Sequence, residues 1–213
     1  MISSVPLPID YPALLTRLDE WHHALRERFP GLVPCRAGCS ACCHGPFDIS
    51  VADALLVRDA ISALPDRERE AVRGRARAQV SRMAAAAPSF QFPWDVSRLG
   101  DAPFDALVEA QADAPCPALG GSGKCLIYQS RPMVCRLMGL GMRTRSGAEL
   151  ENACPIQGEY PFFRDLPPQE FDLEAWETRE ARALRMAAGE LFGDEASTGY
   201  ETTIAGAALL GGG

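Results

Sequence analysis

Four cysteines fall within nine residues, as Cys35-x3-Cys39-x2-Cys42-Cys43, and this crowding constrains the chain more than any other feature. Three more follow as Cys116-x8-Cys125-x9-Cys135, with Cys154 beyond them. Thiolates are soft ligands suited to Zn2+, Cu(I) or iron–sulfur cores, and a site needs about four of them. Ligands a few residues apart can aim at one ion with little loop entropy to overcome. On a helical turn the first four would converge on one face, and in a knuckle-like loop they still can. The vicinal pair is harder to place. One of the two could reach a second metal, bridge two metals, or pack.

Composition limits the setting. The 213 residues suffice for one domain with a buried core, and 47% of them are apolar. Net charge is −7 and the pI about 5.0, so no overall field draws the chain to nucleic acid. The N-terminal run MISSVPLPIDYP lacks the basic start of a signal peptide, and no window is long enough to span a membrane. The expected compartment is therefore the cytoplasm, where thiols stay reduced. Disulfides are disfavoured there, and ligated metal is the expected use of crowded cysteines.

Periodicity predicts helices over Tyr11–Phe29, Ser50–Leu64 and Asp172–Phe192, and an Arg- and Ala-rich one from Pro65-Asp66 to Ala86. Ser50 reads as an N-cap with Asp53 in a capping-box position. The Arg run from Arg67 to Arg82 reads as a solvated face, and His22-His23 as surface residues. Pro88–Pro103 reads as an irregular loop, followed by a short helix over Asp105–Ala112. Residues 114–168 lack long periodicity, as a loop-rich region organised by metal would. Thr202–Leu210 is apolar but too short for a membrane span. With no βαβ alternation, the expected architecture is mainly α: one domain over 1–195 whose helices enclose the cysteine segments, with a docking or disordered tail over 196–213.

A four-thiolate zinc site or iron–sulfur cube carries about two net negative charges, so cations and N–H groups nearby are favourable. Arg36, Arg131 and Arg136 adjoin cluster cysteines in sequence. Gly38, Gly45, Gly120, Gly121 and Gly123 offer backbone amides, His44 a possible non-thiolate ligand, and Tyr128 a second donor behind the ligands. The Cys35-x3-Cys39-x2-Cys42 spacing also occurs in radical S-adenosylmethionine enzymes. Ala41 replaces their aromatic residue, however, and Gly120-Gly121 is followed by Ser122 rather than Glu.

The run CRAGCSACCHGPFDIS (Cys35–Ser50) and the block CPALGGSGKCLIYQSRPMVCR (Cys116–Arg136) resemble the zinc- or iron-chelating cysteine-cluster family with the CxxCxxCC signature, the YkgJ-like proteins. Cys39, Cys42 and Cys43 match its first group, and Cys35 stands one residue further off than the plain form. Cys116, Pro117, Leu119, Cys125, Ile127, Tyr128, Arg131, Pro132, Cys135 and Arg136 match its second block, and Cys154-Pro155 its trailing cysteine. The resemblance implies a cytoplasmic bacterial protein that binds a metal ion or cluster, and it supplies no reaction. The candidate ligands are Cys35, Cys39, Cys42, Cys43, Cys116, Cys125, Cys135 and Cys154, with Arg131, Arg136 and Tyr128 behind them. An iron–sulfur cluster is the favoured occupant and zinc the alternative, with ligation across the two cysteine groups. The competing readings are a zinc-stabilised interaction module and a redox enzyme using the cluster.

Overall fold

Ser50 begins the central helix as its pattern predicts: its hydroxyl accepts from the Asp53 N–H at 3.2 Å and caps α2 (Val51–Ser62). The computed structural model describes residues 10–35, 38–151 and 154–211. Within them α2 lies deep in the core, since Val51, Ala52, Ala54, Leu55, Val57 and Ile61 have no measurable exposure. It is covered by α7 (Leu173–Phe192) and α8 (Ile204–Leu209), and α8 also lies against α3 (Asp66–Ala86). The Ala-rich α8, with Ala205, Ala207 and Ala208 buried, lets these backbones approach closely. Thr203 caps α8, accepting from the Gly206 N–H at 3.1 Å. Just before it, β5 (Glu201–Thr203) pairs antiparallel with β1 (Asp48–Ser50). The segment from Tyr200 to Leu210 is thus part of the central core.

α1 (Asp10–Arg28) buries Leu14, Leu15, Leu18 and Leu25 along one face. It meets α7 and the short α5 (Met133–Leu137). Asp53 ties these elements together. Its buried carboxylate accepts from the Tyr11 hydroxyl at 2.9 Å and from the Met133 N–H at 3.2 Å. The capping-box expectation for Asp53 is therefore corrected, because the carboxylate turns to tertiary donors rather than back to its own helix end.

α4 (Asp101–Ala110) starts earlier than the predicted Asp105, with Pro103 inside its first turn. A proline there removes an N–H that has no partner in the helix anyway, so it does not mark the loop's end. Between α4 and α7 the chain is mostly turns. They include α5, α6 (Pro161–Arg164) and a small sheet in which β2 (Met142–Arg143) pairs with β3 (Glu149–Leu150) and with β4 (Gln169–Glu170). Leu140, Cys154 and Phe163 of this region join Leu25 of α1 and Val33 in a second, smaller apolar cluster. Eight helices against two small sheets make the described protein mainly α-helical. No helix among the described residues is long and apolar enough to cross a membrane.

Candidate metal centre

The two cysteine groups meet through the backbone. The Cys116 N–H donates to the Cys43 carbonyl at 2.8 Å, and the Gly45 N–H donates to the Ala114 carbonyl at 2.8 Å, with His44 opposite Pro115 between them. Gly45 has φ +77°, a backbone conformation that favours glycine, and this turns the chain out of the cysteine run into β1. The run itself is no helix: the Cys43 N–H closes a tight turn onto the Ser40 carbonyl at 2.9 Å. Cys116 and Cys125 then stand on a small hairpin, with Leu119 opposite Cys125 and the Gly120 N–H on the Lys124 carbonyl at 2.8 Å. Cys135 rides on α5, anchored to α2 by the Asp53–Met133 bond.

Cys116 and Cys154 each open a Cys-Pro turn. In one the Leu119 N–H donates to the Cys116 carbonyl, in the other the Gln157 N–H donates to the Cys154 carbonyl, both at 2.9 Å. The same turns bring backbone amides near sulfur: those of Ala118 and Leu119 favour the Cys116 thiolate, that of Ile127 the Cys125 thiolate, and those of Ile156 and Gln157 the Cys154 thiolate. N–H groups directed at sulfur favour the thiolate, the form that binds metal. The expected glycine donors are corrected at three positions. The Gly45, Gly120 and Gly123 N–H groups are taken by the Ala114, Lys124 and Gly120 carbonyls.

All eight cysteines are free thiols. Burial is the largest influence on most of them, and it opposes ionisation. It pushes Cys116 up to about 11, and Cys35 up to about 11 with help from Cys154, Cys39 and Cys42. Cys135, partly buried beside Cys116, Cys42, Asp53 and Cys125, is held well above the usual thiol range by desolvation and by these neighbours. The vicinal pair divides. Interaction with its neighbour lowers Cys42 to about 7 and holds the Cys43 thiol protonated. Cys42 is therefore the most readily ionised of the thiols whose shifts are resolved.

Asp19 on α1 gathers the arginines of the second block. Its carboxylate pairs with both Arg131 and Arg136. Arg136 is 4% exposed, and it also donates to the Arg131 carbonyl at 3.0 Å and the Gln129 carbonyl at 2.8 Å, which fixes the loop before α5. Arg131 lies over the Tyr128 ring, 4.2 Å from its centre, and its charge reaches Cys42 and Cys125 and favours their thiolates. Tyr128 is half exposed. Arg36 lies outside the described residues. His44 is exposed.

Two surface expectations are corrected. His22 is half-buried, and burial, then Arg26 and Arg131, lower it to about 4 and keep it neutral. Arg75, within the run read as solvated, donates to the Pro117 carbonyl at 2.7 and 2.9 Å and so clamps the Cys116 turn to α3. Asp19 and Arg75 hold the cysteine loops, yet nothing in the sequence marks them, because their partners lie far along the chain.

Among the described residues, no three His, Cys, Asp or Glu side chains are drawn together tightly enough to hold an ion as they stand. Ligation therefore calls for the thiols, or the loops that carry them, to turn inward. The donor chemistry fits a soft metal: eight thiols, amides near three of them, and cations within reach.

A family model described as "Putative zinc- or iron-chelating domain", CxxCxxCC, matches residues 34–155, more than half of the chain. No curated protein and no solved structure gives a significant match.

Proposed function

The chain belongs to the zinc- or iron-chelating CxxCxxCC family, and on that premise we propose that it is a cytoplasmic metalloprotein holding an iron–sulfur cluster through cysteines of both groups. The observation that carries the cross-group reading is the 2.8 Å bond from the Cys116 N–H to the Cys43 carbonyl, which sets the second group beside the first. A metal shared between such distant segments would cross-link them. By analogy with a disulfide closing a loop of that length, the chain-entropy gain is about 4 kcal/mol.

Iron–sulfur is preferred to zinc on charge. A cluster ligated by four thiolates keeps about two negative charges, which the amides on Cys116, Cys125 and Cys154 and the nearby Arg131 would stabilise. When bound, such a cluster supplies one-electron transfer or a purely structural link. Zinc is the second reading, because four thiolates complete its tetrahedral site without assembly machinery.

Anaerobic purification followed by visible absorption and by iron, sulfide and zinc analysis tests the proposal. Coloured protein with matched iron and acid-labile sulfide is expected. Colourless protein carrying stoichiometric zinc would replace iron–sulfur by zinc. Protein that takes up neither metal under reducing conditions would sink the metal-binding reading as a whole.

A further inference from the structure

The eight thiols do not share one neighbourhood. Cys116 is buried in the main core, and Cys43, Cys125 and Cys135 pack against that core. Cys154 is buried in the smaller cluster around Leu25, Val33, Leu140 and Phe163, and Cys35 packs against that one. The backbone holds Cys154 there. Gly139 has φ +86°, and a Cβ on it would lie 2.7 Å from Phe163 Cζ and 3.1 Å from Cys154 Cβ. Cys39 and Cys42 pack in neither cluster, and their thiol neighbours bear on where they belong. Cys35 has Cys154, Cys39 and Cys42 as its charged-state neighbours, and Cys154 has Cys42 and Cys39. Cys116 neighbours Cys125, and both neighbour Cys135, while Cys43 has Cys116 and Cys135 beside it. Cys42 is within reach of both sets, and the vicinal bond marks the line between them.

We infer that the cysteines make two separate four-thiolate sites, Cys43, Cys116, Cys125 and Cys135 in the main core and Cys35, Cys39, Cys42 and Cys154 in the smaller one. The inference rests on the metal-binding reading above and goes beyond it in number and placement. It removes the difficulty of the vicinal pair, since adjacent residues in a turn serve two ions more easily than one. Cations lie beside both sites: Arg75 acts on Cys116 in the first, Arg26 on Cys35 in the second, and Arg131 on Cys125 and Cys42, one thiol of each.

The two sites differ in access. Cys35 lines a cavity of about 530 Å3 shared with His23, Arg26, Glu27, Pro34 and Tyr160, so the second site faces solvent. Each site has one buried thiol, Cys116 and Cys154, both 7% exposed, but only the first is held by the Arg75 clamp on its turn. The second metal should therefore exchange first.

The test uses the full chain, reduced and loaded anaerobically with zinc alone, with metal counted by elemental analysis and release followed after adding a chelator. About two equivalents per chain and release in two phases are expected. Cys35→Ser and Cys154→Ser should each halve the metal content and delete the fast phase. Cys125→Ser should remove the slow phase. If that variant does not fold, the Cys35 and Cys154 variants decide the matter alone. A single equivalent in the unmodified chain, or a Cys154→Ser protein that keeps its full complement, would overturn the two-site inference while metal binding stands. No uptake at all would instead overturn the metal-binding reading on which it rests.

Discussion

Removing the Asp19 carboxylate should be among the most damaging single changes outside the cysteines. Asp19 is one-third exposed, but its partner Arg136 is buried at 3% side-chain exposure, and that asymmetry sets the magnitude. An exposed ion pair contributes about 0–1 kcal/mol, because water replaces the lost partner. A guanidinium buried beyond water has no such replacement, and breaking such a pair costs about 3–5 kcal/mol. Arg136 retains the Arg131 and Gln129 carbonyls, which places Asp19→Ala near the lower end, about 3 kcal/mol. Equilibrium urea unfolding followed by circular dichroism, at matched metal content, measures this directly. The double variant provides the internal check. In an Arg136→Met background the orphaned charge is gone, so the Asp19→Ala step should shrink below about 1 kcal/mol. An Asp19→Ala cost under about 1 kcal/mol, or one unchanged by Arg136→Met, would refute the claim that a stranded buried charge sets the penalty.

Two further outcomes follow from the same framework. Burial raises the Asp53 carboxyl to about 7, against an ordinary value of 3.8, so its contribution to stability is full below pH 4 and is lost as pH rises through 7. Asp53→Asn should therefore be clearly destabilising at pH 5 and much less so at pH 8. The difference from wild type should change by up to about 1.4 kcal/mol per pH unit across that window in paired urea titrations, and a difference flat with pH would contradict it. Gly139→Ala combines an unfavourable positive φ with overlap on Phe163 and should cost about 2–4 kcal/mol and lower metal content. Gly147→Ala, at φ +88° with open space around it, should cost only about 1–2 kcal/mol and leave metal content unchanged.

The long helices were legible because their signals are local. Ser50 caps α2 as its position suggests, the helix read over Asp172–Phe192 is found with Asp172 as its cap, and Pro65-Asp66 starts α3. The misreadings come where a distant partner overrides a local rule. Asp53 finds its acceptor role with Tyr11 and Met133, 42 and 80 residues away. Arg75 leaves the solvated face for a carbonyl 42 residues on. The stretch from Thr202 to Leu210 shows small apolar residues too few for a membrane, and only the pairing of β5 with β1 reveals that it closes the core. The ten family positions of the second cysteine block were readable. The division of thiols between two cores was not, because spacing alone leaves the vicinal pair free to turn either way.

The helical core of this protein is held by its own packing. α2, α3, α7 and α8 bury Leu, Ile, Val and Ala side chains against one another, and fully burying each larger aliphatic contributes about 1.5–3 kcal/mol without any ligand. The cysteine segments are mostly turns; Cys116, Ala118, Ile127 and Leu137 pack into that core, and the Arg75 clamp, the Asp53–Met133 bond and the Asp19 pair fix the loops around them. These contacts pre-position the thiols without closing them on an ion. Occupancy then has little of the helical core's energy to supply and only the last inward turn of the loops to drive. A fold arranged this way can take up or release a metal while α2 and its neighbours stay packed. That separation is what a chelating domain needs if its cargo is to exchange without unfolding the chain.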